Sequence, residues 1–429
     1  MQVQAIQNYN LKPFNSQLNV QENCPKPQMA QNSIKSIYSQ GMSGISFGSL
    51  PSKVATHFER EIAEQPAVLR KLFDKYFSGP YILKGIQNID LGISYPEMCK
   101  IKRIHLVASG SSKNSAEMAQ GFIENIAGIP VNVESASEFM YKNKPLIEGE
   151  DLAVFISQSG GTADTLAALN LAKSKGAKTI AITNKPESKI AQAAGAHIPL
   201  EAGEEQAVAA TKTVTSSIFN LMAMGLKLGE IKGVESHKIV DGVNRLRYLP
   251  EQIEFMLKHT ADVKRAADIL KDADNIYYYA KGSNVGAVKE GALKLTETTG
   301  KRVIADASGE ALHGTFASVR PENPVLQVAA QTPDKASFNV AIENIKEMVQ
   351  KRHIEHPIIL RNTYNRRPIK GMPEDTIYLN VPEASENISP ILTTVKFQQL
   401  TNEITKRLGI NPDNGGGFLT KFRENITMK

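Results

Sequence analysis

The chain reads as an α/β protein of two tandem lobes, each a parallel five-stranded sheet flanked by helices in three αβα layers. Three observations predict it. From about Arg103, short apolar runs alternate with helix-length segments, the signature of βαβ units. After a helical bridge the same alternation restarts near residue 275, a coarse internal repeat. Hydroxyl- and glycine-rich turns stand between strand and helix where a parallel sheet binds its ligands.

The elements follow in order. Residues 1–52 are rich in Asn, Gln and Ser, with Pro13, Pro25, Pro27 and Pro51 scattered among them and no period of 2 or 3.6, so a flexible polar tail is expected. Order is expected from Lys53, where Val54, Phe58, Ile62, Val68 and Leu69 keep helical spacing around Pro66. Strands are predicted at 103–109, 131–136, 151–157, 178–183 and 197–201, and helices at 112–127, 162–175, 187–194 and 207–228. A helical bridge over 236–272 leads to strands at 275–281, 302–306, 324–330, 356–361 and 375–380, with helices at 284–299, 334–352 and 388–408. The expected units are a tail (1–52), a first domain (53–232), a second domain (233–410) and a C-terminal lid or tail (411–429).

Composition narrows the class. Fifty Lys and Arg against 44 Asp and Glu give a net charge of +6 in 429 residues, a mild excess that favours anionic metabolites. No Lys/Arg block is interleaved with aromatics, which argues against nucleic acid. No apolar run approaches the roughly 20 residues of a membrane helix, so no membrane partner is expected. The start, Met1 to Asn10, has neither the basic nor the apolar part of a signal peptide. With only Cys24 and Cys99, neither a disulfide framework nor a cysteine metal site is expected, and the expected location is cytoplasmic.

The turn Ser157-Gln158-Ser159-Gly160-Gly161-Thr162 carries the most chemistry. It follows the apolar run Asp151–Ile156 and precedes a helix whose free N–H groups and dipole favour an anion. Ser and Thr are also ordinary helix caps, and one such turn alone would suggest only capping. The pattern occurs twice: Ile104 to Ser109 is followed by Gly110-Ser111-Ser112 and another helix. Two such turns in one sheet can converge on one ligand. Neither has the lysine of a Walker loop or the Gly-x-Gly-x-x-Gly of a dinucleotide fold, which points to a small phosphorylated metabolite.

In the second lobe Glu290, Lys294 and Glu297 fall at i, i+4 and i+7 on one helical face. Spacing alone fits a solvated Glu–Lys pair, although Gly291 and Ala292 would let a neighbouring backbone approach. His313 sits between Leu312 and Gly314, and Lys421 follows the glycine-rich stretch Gly415–Gly417.

Taken together, Gly110-Ser111-Ser112, Ser157-Gln-Ser-Gly160, Thr162-Ala-Asp-Thr165, Val208-Ala-Ala-Thr-Lys212, Glu290-Gly-Ala-Leu-Lys-Leu-x-Glu297 and Gly309-Glu-x-x-His313-Gly314 resemble the tandem sugar isomerase (SIS) domains. The resemblance runs from Glu61 to Lys421 and includes the isomerase half of glutamine–fructose-6-phosphate aminotransferase and glucosamine-6-phosphate deaminase-like proteins. It implies a sugar phosphate held by Gly110, Ser111, Ser112, Ser157, Gln158, Ser159, Thr162 and Glu290. It implies Glu297 as the base moving a proton between C1 and C2, His313 as the ring-opening group from a neighbouring subunit of a homodimer, Lys294 beside the base, and Lys421 condensing with the ketose carbonyl. A carboxylate, an imidazole and an amine cover that chemistry, so no cofactor or metal is expected.

The chain departs from the pattern at Gly161, where the family commonly has Glu, at Thr315, where it commonly has Pro, and after Lys421. No cysteine nucleophile follows Met1, and the first 50 residues are too few and too polar for a glutamine-hydrolysing domain. The expected reaction is therefore conversion of glucosamine 6-phosphate to fructose 6-phosphate with release of ammonia. The alternatives are a deglycase or isomerase acting on fructosamine 6-phosphate or galactosamine 6-phosphate, and a sugar-phosphate sensor without turnover.

Overall fold

The computed structural model describes residues 55–77, 86, 88–142, 147–330, 336–363, 367–385 and 387–417; the predicted tail and Lys421 lie outside these residues. The first ordered element is helix α1 (His57–Phe77), which buries Phe58, Ile62, Leu69, Leu72 and Tyr76 along one stripe. Pro66 inside it cannot donate to the carbonyl of Ile62, and the Gln65 side chain makes that bond instead at 3.1 Å. Asp413, from a 3₁₀ turn over Pro412–Gly417, caps the start of α1 with 2.8 Å bonds from the N–H groups of His57 and Phe58.

The first lobe contains β1 (Arg103–Ala108), α2 (Gly110–Ala127), β2 (Val131–Ser135), β3 (Asp151–Ser157), α3 (Ala163–Ser174), β4 (Lys178–Thr183) and β5 (Ala196–Pro199). The long helix α4 (Lys212–Ile231) closes it. Helices α5 (Ser236–Lys258) and α6 (Ala261–Leu270) bridge to the second lobe. That lobe contains β6 (Asn275–Ala280), α7 (Asn284–Thr299), β7 (Arg302–Ala307), β8 (Val325–Ala329), α8 (Ala336–Arg352), β9 (Pro357–Arg361), β10 (Ile377–Asn380) and α9 (Ser389–Leu408). Short helical turns over Tyr95–Lys100, Ala136–Phe139 and Ser308–Ala311 were not predicted.

Both sheets are parallel throughout their described pairings, with orders β2-β1-β3-β4-β5 and β7-β6-β8-β9-β10. The two orders match strand for strand, which establishes the repeat. In each, the direction of winding reverses beside the first strand, and the crevice there receives ligands in this class of sheet. Alternate strand residues face opposite layers. Leu106, Val154 and Ile156 join Ile276, Tyr278 and Leu326 in one core that runs through both lobes. Val107, Ala153 and Phe155 pack on the outer face of the first sheet, and Tyr277, Tyr279 and Ile359 on that of the second.

The lobes meet through α2 and α7, and α7 also packs on α9. Small residues on α7 permit this: a Cβ on Gly286 would stand 2.9 Å from the Asn114 carbonyl, and one on Gly291 would stand 2.5 Å from the Phe397 ring. Among the described residues no helix is long and apolar enough to cross a membrane. Of the two cysteines, Cys24 lies outside the described residues.

Gly291→Ala should lower stability by about 1–3 kcal/mol through overpacking against Phe397. A shift in the urea midpoint checks this, and Phe397→Leu in the same chain should recover part of it.

Candidate active site

The two phosphate-type turns end adjacent strands, since Ala108 of β1 pairs with Ile156 of β3. Gly110 takes a φ of +55° and Gly160 a φ of +64°, the left-handed region that favours glycine. A Cβ on Gly160 would also collide with Ser188 at 2.0 Å. The second turn is braced from β4 and the segment after it: the Asn184 N–H donates to the Gln158 carbonyl and the Ile190 N–H to the Gly160 carbonyl, each at 3.1 Å.

The hydroxyls serve the turn rather than the helix. Ser157 Oγ accepts from the Gly160 N–H at 3.1 Å and lies 3.0 Å from Thr162 Oγ1, while Ser159 Oγ accepts from the Gly161 N–H at 3.2 Å. Neither Ser109 nor Thr162, the N-cap residues of α2 and α3, uses its side chain as a cap among the described residues. The capping explanation for these hydroxyls therefore fails. The first N–H groups of both helices point out of the carboxyl edge of one sheet, where an anion would complete them.

Across from α2, the predicted face of α7 is buried, not solvated. Glu290 is 0% and Lys294 1% exposed, which overturns the reading of a surface ion pair. Lys294 Nζ donates to Glu297 Oε2 at 2.6 Å and to Ser111 Oγ at 3.0 Å, and lies 3.4 Å from Glu290 Oε1. The other Glu290 oxygen accepts from Asn114 Nδ2 at 2.8 Å. Burial alone would push the Lys294 ammonium down, but Glu290 and Glu297, with Glu205 further out, outweigh it and raise its pKa. Lys294 stays charged at neutral pH, and the stability that this adds is complete below the ordinary lysine value and lost as pH rises through the raised one. The Glu297 side chain keeps 21% of its surface and is the solvent-facing end of the cluster.

The structure thus joins Ser111, Glu290, Lys294 and Glu297 by direct contacts and adds Asn114, which the sequence reading missed. Ser112, Gln158, Ser159 and Thr162 are partly exposed at the same sheet edge. His313 stands apart and exposed on the turn after Ser308–Ala311, its N–H bonded to the Glu310 carbonyl at 2.9 Å. Thr315, just beyond, accepts from the buried Tyr279 hydroxyl at 3.3 Å.

Two repeated lobes, one carrying hydroxyl-lined turns at its sheet edge and the other a lysine-held carboxylate, define a tandem α/β protein of the SIS kind. The sequence profile of the SIS domain matches residues 97–227 and 269–401, and the chain belongs to the SIS-domain family. It is 32% identical over 357 residues to a glutamine–fructose-6-phosphate aminotransferase (isomerizing) of Chlorobaculum tepidum, covering 82% of this chain and 56% of that protein. A Caldanaerobacter subterraneus protein of the same name is 33% identical over 356 residues, with the same coverage. The chain thus spans little more than half the length of these relatives. Among solved structures, the C-terminal domain of glucosamine-fructose-6-phosphate aminotransferase from Francisella tularensis superposes with a TM-score of 0.77 at 25% identity, covering 83% of this chain and 98% of that one. A Thermotoga maritima glucosamine-6-phosphate deaminase shares the fold, with a TM-score of 0.60 at 21% identity over 84% of this chain and 97% of that one.

Lys294→Met leaves Glu290 buried without its cation and should cost about 3–5 kcal/mol, read as a fall in the denaturation midpoint. Glu290→Gln in the same chain should recover most of the loss; no recovery would show that the pair is not the cause.

Proposed function

We propose that the protein is an aminosugar-phosphate isomerase and deaminase that converts glucosamine 6-phosphate and water to fructose 6-phosphate and ammonia. The observation that carries this reading is the link from the Ser111 turn through Lys294 to Glu297, which sets a carboxylate base beside an anion-binding turn. The phosphate binds at the N-termini of α2 and α3 through Ser111, Ser112, Ser157, Gln158, Ser159 and Thr162. Glu297 shuttles the proton between C2 and C1, and Lys294 orients it through their 2.6 Å bond. Isomerisation turns the C2 amine into an imine, which water hydrolyses to the ketose. This direction requires no glutamine-hydrolysing domain. The similarity to aminotransferase isomerase domains and the deaminase fold support the substrate class.

His313 opens the sugar ring in the site of a second copy, a role supported by its exposure on the surface of one chain. Lys421, outside the described residues, is proposed to condense with the ketose carbonyl. Gly161 in the turn supports a second reading, a deglycase or isomerase for another phosphosugar, which turnover across fructosamine, galactosamine and glucosamine 6-phosphates would separate.

Incubation with glucosamine 6-phosphate should release ammonia and fructose 6-phosphate in equal amounts. Glu297→Gln should lower the rate by about 10²- to 10⁴-fold while binding persists. A folded protein that releases no ammonia sinks the deaminase reading, and equal behaviour of wild type and variant favours a sensor. Separately, mixing inactive His313→Ala with inactive Glu297→Gln should restore part of the activity by forming mixed dimers; no recovery counts against a shared site.

A further inference from the structure

We infer that Glu205 is a positioning residue of this site, holding the Ser111 turn against Lys294 through the N-terminus of α4. The inference rests on the sugar-phosphate reading above and concerns a residue that the motifs did not single out.

Helix α4 starts in an unusual way. Its N-cap residue, Thr211, has φ −129° and ψ −82° and makes no side-chain cap. The cap comes from six residues upstream. Glu205, 8% exposed, accepts from the N–H groups of Thr211 and Thr213 at 2.9 and 3.1 Å, from Thr213 Oγ1 at 2.6 Å and from Thr211 Oγ1 at 3.3 Å. A carboxylate on the positive end of a 20-residue helix is well placed electrostatically. This helix start is therefore filled by the protein's own anion, which leaves the substrate phosphate to α2 and α3.

From there a short chain of bonds reaches the site. The Val214 carbonyl, in the first turn of α4, lies 3.4 Å from Ser115 Oγ, the long arm of a three-centre bond. The same hydroxyl, fully buried, donates to the Ser111 carbonyl at 2.9 Å, and Ser111 Oγ receives Lys294. Ser115 thus stands between the first turn of α4 and the Ser111 carbonyl, and that turn is capped by Glu205.

Glu205 is itself held by a buried neighbour. Glu61 shares Thr211 Oγ1 with it at 3.4 Å and fixes the intervening loop, accepting from the N–H groups of Gln206 and Ala207 at 2.5 and 3.2 Å. Burial raises the Glu61 pKa against the pull of those two donors, and the Glu205 charge adds to the rise. Two carboxylates on one hydroxyl are a costly arrangement for a cap that a single Ser or Asp at position 211 could supply. The arrangement makes sense if the loop and the helix start must hold one geometry.

The test compares equilibrium binding of fructose 6-phosphate, by calorimetry, to the full chain and to Glu205→Ala, Glu205→Gln and Ser115→Ala. Weakening of about tenfold is expected for Glu205→Ala, with partial rescue in Glu205→Gln, which keeps an acceptor. Ser115→Ala, which cuts the relay without touching the cap, should weaken binding similarly, and combining it with Glu205→Ala should add little. With turnover, the change should appear in KM and not in kcat, whereas a merely structural loss lowers the active fraction and leaves KM unchanged. If Glu205→Ala does not fold, the Ser115→Ala result decides. Unchanged binding in Ser115→Ala and in the folded Glu205 variants overturns the inference. A wild-type chain that binds no fructose 6-phosphate overturns the substrate reading instead.

Discussion

A single buried ammonium organises this molecule. Lys294 has lost nearly all its water, and among the described residues it is compensated by Glu290, Glu297 and the Ser111 hydroxyl, with Glu205 further out. Since Ser111 belongs to the other lobe, the lobes must stay in contact for that charge to be satisfied. The tight meeting of α7 with α2 follows, as does the glycine at 286, where any side chain would press on Met118 and the Asn114 carbonyl. The same contact brings the Asn114 amide within reach of Glu290. Stability of the lobe interface and placement of the base are one requirement.

Electrostatics at helix starts explains where a substrate can go. Three long helices begin near the site. The N-termini of α2 and α3 are wrapped in hydroxyls that do not cap them, while that of α4 is occupied by Glu205. An anion at this sheet edge would meet two open positive ends and a third that already holds a carboxylate. Lys294, although cationic, is matched by carboxylates and adds little net attraction for an anion.

Much of this was legible in the sequence. Strand β4 and helix α7 fall where periodicity put them, because a short strand rich in β-branched residues or a helix ended by glycine leaves the local signal little competition. The start of α4 was expected at 207 but lies at Lys212, because Glu61 and Glu205 hold residues 206–211 in a non-helical loop against their propensity. Those two carboxylates are far from Lys294 in sequence and follow no spacing rule, so local reading could not select them. The burial of Glu290 was also hidden, since an i, i+4 pair looks alike on a wet and a dry face. Only the small neighbours Gly291 and Ala292 hinted at it. His313 is the converse case: a motif marked it, and the structure places it exposed on the turn after Ser308–Ala311.

The matched strand orders of the two sheets carry a consequence for how such a protein can change over time. A duplicated unit first supplies two equivalent faces, and redundancy lets each lose what the other retains. Here the first copy kept the hydroxyl-lined turn, and the second kept the acidic–basic helix that faces it. With the features divided in this way, neither half presents the whole arrangement without the other. The chain became a single evolutionary unit assembled from two homologous halves.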